Sequence, residues 1–484
     1  MDIISKIKQY FPIKKEEFPK FILIASMMML IVYVYSILRN SKDALVVTQM
    51  GAEAISAMKL FGVLPFAVIF MLIYTKLADV FTRIQLFHII NGFFISFFAI
   101  FALFLYPNAK AVHFDMSGAI ESMPYLRHFF GMLGEWSFSL FFIFSELWGS
   151  VMLALLFWQL ANQVNTVEEA KRFYPLFGFL AQAGLYMAGI LGQMFSEMNL
   201  ESGNWTKTLN YITISVVFAG IATSYCLWHL CMILGDETIN VTKSSSGKKK
   251  IKLGFVESLK YIMSSKYIGL ITALILCYGT SINLVEGVWK KSMQMQFTDS
   301  NTYGLYMGVV QEWTSICTAF FMLTGAVVLK MISWRTAALL TPIAILITGV
   351  VFFSFMVFRI ELQPWIVALG YSSIAVAAFA GATQNVLSKG VKYSFFDATK
   401  EMSYIPLDDE LKSKGKAAAD VIGGRMGKSS GAFVQQTLLA VLVGSDLLSL
   451  SPLMFGIFLV IMVIWFFAIF ALSNEFEKKK AEIA

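Results

Sequence analysis

The residues with chemistry to offer are charged and amide side chains set inside apolar runs. Arg39, Lys42 and Asp43 share LRNSKDALVV, where Ala44 to Val47 carry the apolar stretch on beyond them. Glu146 stands deep in FSELWGSVM, and Asn283, Glu286, Trp289, Lys290 and Lys291 fall in NLVEGVWKKS. Asn385, Lys389 and Lys392 lie in QNVLSKGVKYSFFDATKEMSYIPLD, and Arg425 and Lys428 in DVIGGRMGKSSGA. Such groups can pair with one another, carry a proton, or bind an anionic solute. Metal and nucleophile chemistry have no comparable signal. The 4 His form no HExxH pair, and Cys226, Cys231, Cys277 and Cys317 sit in apolar runs without metal spacing, as small buried thiols do.

Spacing adds pairings. Arg39 and Asp43 are four apart and predict a helical pair that leaves Lys42 in excess. Glu286 and Lys290 stand in the favourable i,i+4 order. Lys291 and Trp289 read as membrane-interface residues, and Lys389 and Lys392 compete with a role as cytoplasmic anchors. Gly423, Gly427 and Gly431 recur every four residues as a helix-packing stripe. At about 100° per residue, Arg425 points away from that stripe and Lys428 lies roughly 60° from Arg425, so both face one cavity. GRMGKSSG is not a P-loop: Ile422 occupies the position of the first glycine, and no strand precedes it.

These groups are mostly cations, which argues for an anionic solute carrying several negative charges. A charge at the centre of a membrane helix costs about 2.5–3.5 kcal/mol, so each needs a partner or a function.

The elements that hold them are membrane helices. The chain has 484 residues, 57% hydrophobic and only 14% charged, with a mean hydropathy of +0.69. Soluble proteins carry roughly 25% charged residues, so a cytosolic enzyme, a secreted disulfide scaffold and a disordered chain are excluded. Twelve apolar runs are long enough to span a bilayer as helices: 19–38, 56–76, 84–106, 136–161, 173–196, 208–233, 266–289, 304–329, 333–357, 363–388, 416–444 and 451–472. Their continuity argues against barrel strands.

Lys and Arg concentrate on one side when the N-terminus is placed in the cytoplasm, so the net charge of +7 reads as cytoplasmic anchoring rather than nucleic-acid binding. The first residues read as an interfacial segment, not a signal peptide. The densest basic run, VTKSSSGKKKIK, divides six spans from six, the major-facilitator layout. The expected organisation is an interfacial segment 1–18, a six-helix bundle 19–235, a basic linker 236–265, a second bundle 266–474 and a cytoplasmic tail 475–484.

LRNSKDALVV, SELWGSVMLALLFWQLANQ, EAKRFYPLFG, INLVEGVWK, QNVLSKGVKYSFFDATKEMSYIPLD and GGRMGKSSGAFVQQ together resemble the ATP:ADP antiporter family of nucleotide transporters found in intracellular bacteria and plastids. The resemblance runs through nearly the whole chain. It implies twelve helices in a major-facilitator-like fold and exchange of adenine nucleotides, with nucleotide/proton symport and NAD exchange as alternatives on the same scaffold. The family's functional charges carry over to Lys42, Glu146, Glu286 and Lys428. Lys171 and Arg172 match a family stretch without an evident role. Ser430 stands where the common form has glycine, and Gly287 where some members have valine. Phosphates are expected at Lys42, Lys428, Arg425 and Lys290, with Lys389 alongside. Glu146 and Glu286 orient or gate the cations, and Asn283 or Asn385 bonds the adenine. No cofactor is expected. The partners are ATP, ADP and lipid, the protein is expected to be a monomer, and the location is the inner membrane of an intracellular bacterium with both termini cytoplasmic. A membrane-embedded nucleotide enzyme is the different-class alternative; it lacks a P-loop or carboxylate cluster.

Overall fold

A computed structural model describes residues 13–235, 265–407 and 423–483, with 415, 416 and 419 between them. The interfacial segment's first twelve residues and the VTKSSSGKKKIK linker lie outside the described residues. All regular structure among the described residues is helical.

The helices, in chain order, are α1 Phe18–Gln49, α2 Glu53–Val80, α3 Arg83–Leu105, α4 Trp136–Val164, α5 Val167–Glu197 and α6 Trp205–Leu234. After the linker come α7 Lys266–Gln296, α8 Ser300–Met331, α9 Trp334–Val357, α10 Ser373–Ser403, α11 Gly424–Val441 and α12 Ser451–Ile483. Ten are long and apolar enough to cross a membrane; α10, with the short helix Arg359–Ala368 bent against it by 101°, makes an eleventh. The glycines and basic residues of α11 lower its hydropathy, but it occupies the remaining expected position.

Polar residues at the turns decide where helices begin. Thr82 and Gln85 form a reciprocal cap at the start of α3, and Thr166 and Glu169 do the same for α5. Asn204, Ser265, Asp299, Ser333 and Ser372 accept the first free amides of α6, α7, α8, α9 and α10. Gly51, at φ +93°, turns α1 into α2.

Three boundaries differ from the sequence expectation. The tenth span does not begin at 363: Gly370, at φ +82°, breaks the chain and sets Arg359–Ala368 across α10. The first and seventh spans do not stop near their charges but run on to Gln49 and Gln296. Hydropathy falls at Lys42 and Lys290, yet the helix continues because those charges are paired inside the protein.

The turns after α1, α3, α5, α7, α9 and α11 define one end of the molecule, the far end. The opposite end carries both ends of the described chain and is the termini end. The two helix sets, α1–α6 and α7–α12, join towards the far end. There Glu53–Ala57 is wholly buried, whereas Leu64–Val80, the rest of α2 towards the termini end, has no buried residue. The cleft between the sets therefore opens at the termini end.

α5 and α8 cross at Gly189 and Gly308. A Cβ on Gly189 would lie 2.9 Å from the Gly308 carbonyl oxygen, so the backbones touch. α7 and α11 approach as closely. A Cβ on Gly279 would fall 2.5 Å from the Gly427 carbonyl carbon, and one on Gly431 2.4 Å from the Asn283 Cβ. The glycine stripe of α11 is a packing surface against α7, as its spacing predicts.

Candidate functional site

The head of the cleft is an ionic network fed by five helices. From α1, the Lys42 ammonium lies 2.7 Å from Asp43 Oδ1 and 3.0 Å from Glu146 Oε1 of α4, and 3.9 Å above the Phe142 ring. Asp43 turns its other oxygen, Oδ2, to Lys290 of α7 at 2.9 Å. Glu286 of α7 gathers three cations: Arg39 at 3.1 Å, Lys59 of α2 at 3.2 Å and Lys290 at 3.5 Å. Lys59 also donates to Asn283 Oδ1 at 2.8 Å. Lys389 of α10 lies within electrostatic reach of Arg39, Glu286 and Asp43 but makes no ion pair among the described residues.

Burial grades the network. The side chains of Lys42 and Asp43 are 1% exposed and that of Lys290 2%. Arg39 retains 26% and Lys59 and Glu146 each 21%. The inner ions exist in this environment only because each is paired; removing one partner of such a pair costs about 3–5 kcal/mol. Arg39, Lys59 and Lys389 keep part of their surface exposed. Five cations thus meet three carboxylates. The excess of positive charge suits a polyanion, because phosphate oxygens bind such donors by charge-assisted hydrogen bonds.

Of the residues expected from sequence, Lys42, Glu146, Asn283, Glu286, Lys290 and Lys389 converge here. Asn385 is buried one turn before Lys389. Arg425 and Lys428 lie on α11, but their side chains fall outside the described residues. Three expectations are corrected. Arg39 and Asp43 do not pair: each finds an opposite charge on α7 instead, which a rule confined to one helix cannot foresee. Trp289 is not an interface residue. It is 1% exposed, donates to the Ala378 carbonyl and fills the space left by Gly381. Lys291 does not face the headgroups but pairs with Glu53 at 2.9 Å and Asp446 at 3.5 Å.

That last pair belongs to a seal across the far end. The Leu447 amide donates to Glu53 Oε1, and the Gln436 side-chain amide to the Glu53 carbonyl and to Ser56 Oγ. Arg127, first residue of the short helix Arg127–Gly134 that precedes α4, reaches over to the Ser445 carbonyl. Burial pushes the Asp446 carboxyl up, but hydrogen bonds from Ser449 together with Lys291 hold it below the usual range.

The two departures from the family motifs are packing features. Ser430 Oγ lies 2.5 Å from Thr280 Oγ1 and joins α11 to α7. Gly287 makes room for Gln435, whose amide donates to the Asn283 carbonyl; a Cβ there would lie 2.4 Å from the Gln435 amide nitrogen. Arg172 clamps Glu17 with both guanidinium nitrogens, at 2.6 and 2.7 Å, tying α5 to the start of α1.

Sequence reasoning missed Lys59, Glu53 and Glu312. Lys59 and Glu53 stand near the start of an apolar run and read as ordinary end charges. Glu312 stands inside VVQEWTS in the eighth span, a signal that was available; its Oε2 accepts from Gln193 of α5 at 3.0 Å.

The family model described as "TLC ATP/ADP transporter" matches residues 2–476. The chain belongs to the TLC ATP/ADP transporter family. Among TLC relatives, ADP,ATP carrier protein 1 of Rickettsia bellii is 41% identical over 482 residues, covering 98% of this chain and 97% of that protein. ADP,ATP carrier protein 1 of Rickettsia prowazekii is 42% identical over 477 residues, covering 97% and 96%. Of solved structures, a bacterial homologue of the iron transporter ferroportin in an inward-facing state aligns with a TM-score of 0.58 at 12% identity, over 94% of this chain and 100% of that one. The D-xylose-proton symporter aligns at 0.53 and 11% identity, over 93% and 97%. These likenesses place the TLC chain in the major-facilitator-like fold.

Proposed function

We propose that this chain exchanges ATP for ADP across a bilayer by alternating access. The observation that carries the reading is the cation-rich network at the head of the cleft, built from both helix sets and only partly neutralised by Asp43, Glu146 and Glu286. Phosphates entering the cleft compete with those carboxylates for Lys42, Lys290 and Lys389, and Arg425 and Lys428 of α11 complete the anion site. Asn283 or Asn385 bonds the adenine. Glu146 and Glu286 hold the cations apart while the site is empty and act as gates rather than as substrate ligands.

The termini end faces the cytoplasm, on the side favoured by Lys and Arg, so the cleft is open inward. The protein acts as a monomer in the inner membrane of an intracellular bacterium, with bundles 19–235 and 266–474 rocking about the network. Nucleotide passes through without being hydrolysed, and nucleic acid is not a partner. Exchange of ATP⁴⁻ for ADP³⁻ moves one net charge, worth about 2.3 kcal/mol per 100 mV. An inside-negative membrane opposes ATP import, and the nucleotide gradients supply the drive.

The test is uptake of labelled ATP into vesicles of purified protein loaded with ADP, AMP or nothing. ADP-loaded vesicles take up ATP far faster than empty ones. Equal uptake by empty vesicles that depends on an imposed proton gradient replaces exchange with symport.

A further inference from the structure

Asp43 is the most enclosed acid in the network, and it serves both halves at once. Its Oδ1 receives Lys42 of its own helix at 2.7 Å, and its Oδ2 receives Lys290 of α7 at 2.9 Å. The Lys42–Asp43–Lys290 line crosses from one helix set to the other, and both ends are as buried as its centre. It lies on the far-end side of Arg39 along α1, towards the Glu53–Lys291 seal.

Opening the far end requires α7 to part from α1, and Lys290 must then leave Asp43. Lys290 then keeps only Glu286 of its own helix, at 3.5 Å, and Asp43 keeps only Lys42. Separation in the empty protein thus gives up the close 2.9 Å pair between the sets, and weakening a buried pair without replacing it is costly. A bound polyanion changes this, because its phosphate oxygens can take over Lys290 and travel with it. We propose that Asp43 is the coupling residue of the exchange: it latches the empty carrier shut at the far end and releases it only when an anionic substrate replaces it at Lys290. Asp43 therefore acts as a positioning residue, through lysines, and makes transport an obligatory swap rather than a one-way passage. This rests on the exchange reading above.

Asp43→Asn keeps the shape and removes the charge. Two measurements follow. In vesicles, the ratio of uptake without internal ADP to uptake with it rises at least about tenfold in Asp43→Asn, and Asp43→Glu restores the unmutated ratio. A merely structural defect would lower both fluxes and leave the ratio alone. An unmutated protein whose uptake ignores internal ADP overturns the exchange reading itself.

The second measurement needs no transport. Ile55, buried beside Glu53, is replaced by cysteine, and a membrane-impermeant maleimide is added from the far-end side without nucleotide. The rate of labelling, corrected for the native cysteines, rises at least about tenfold in Asp43→Asn. Lys290→Gln breaks the same pair from the other half and is read by labelling alone, so the test stands if one variant fails to fold. Unchanged labelling in the folded variants, or a flux ratio that stays at the unmutated value, overturns the assignment of Asp43.

Discussion

Replacing Glu286 by glutamine keeps the side chain's size and its place on α7 but removes the charge that three cations share. Arg39, Lys59 and Lys290 sit 3.1, 3.2 and 3.5 Å from its oxygens. Two of the three keep about a fifth or more of their side-chain surface exposed, so they can turn into the cleft rather than remain stranded. A phosphate held on the far side of the Arg39 guanidinium would stand about 7 Å from the carboxylate. At an effective dielectric near 20, two unit charges at that separation repel by about 2 kcal/mol. Losing the carboxylate relieves that repulsion, so ATP binds more tightly in Glu286→Gln, by up to roughly 30-fold. Exchange slows at the same time, because the cations no longer have an anion to return to when nucleotide leaves. The assay measures both quantities on one purified variant: equilibrium ATP affinity in detergent and ADP-driven ATP uptake in vesicles. Affinity and exchange falling in equal proportion would make Glu286 a substrate contact, and normal exchange would remove it from the machinery.

On the phosphate role proposed for Lys428, Lys428→Ala weakens ATP binding by about 1.5–3 kcal/mol, roughly 10- to 150-fold, in an affinity titration; wild-type affinity in a folded variant takes Lys428 out of the site. Gly279→Val drives a side chain into the Gly427 backbone and lowers stability by about 1–3 kcal/mol in a thermal unfolding series. Ser430→Gly removes the α11–α7 hydrogen bond, costs about 1 kcal/mol of stability and leaves ATP affinity unchanged; altered nucleotide preference would contradict its packing role. Arg172 holds the Glu17 carboxyl down at about 2, against 4.5 for the free group. Because that value is depressed on folding, the clamp's contribution is complete above pH 4.5 and fades as pH falls towards 2. Arg172→Ala flattens that part of the acid unfolding profile.

The spans were legible because about 20 apolar residues in a row have few other uses. Most of the charged cluster was legible for the converse reason: Lys42, Glu146, Glu286 and Lys290 stand where a bilayer tolerates no unpaired charge. What could not be read was who pairs with whom. Asp43 was assigned to Arg39 by helical spacing, and its partner Lys290 is about 250 residues away in sequence, a contact set by tertiary packing rather than by the short-range i,i+4 spacing. Lys59 escaped notice because a lysine a few residues into an apolar run looks like one that snorkels to the surface. The tenth span was misplaced because Leu369 to Tyr371 interrupts hydropathy only slightly, while Gly370 redirects the backbone. The glycine stripe of α11 was read correctly, since a four-residue period fixes a face whatever lies opposite.

In the rocking motion proposed above, the close crossing of α5 and α8 at Gly189 and Gly308 serves as an off-centre fulcrum. On a helix rising about 1.5 Å per residue, Gly189 stands about 12 Å from the far end of α5 and about 33 Å from its termini end. A rotation of about 10° about that point moves the far end by about 2 Å and the termini end by about 6 Å. The stroke is unequal on the two sides of the membrane. At the far end the shift is within the reach of single side chains, so short contacts such as Lys291–Glu53, Gln436–Ser56 and Asp43–Lys290 can close it together. At the termini end the same rotation sweeps helices through several ångströms, a stroke that short side-chain contacts cannot bridge.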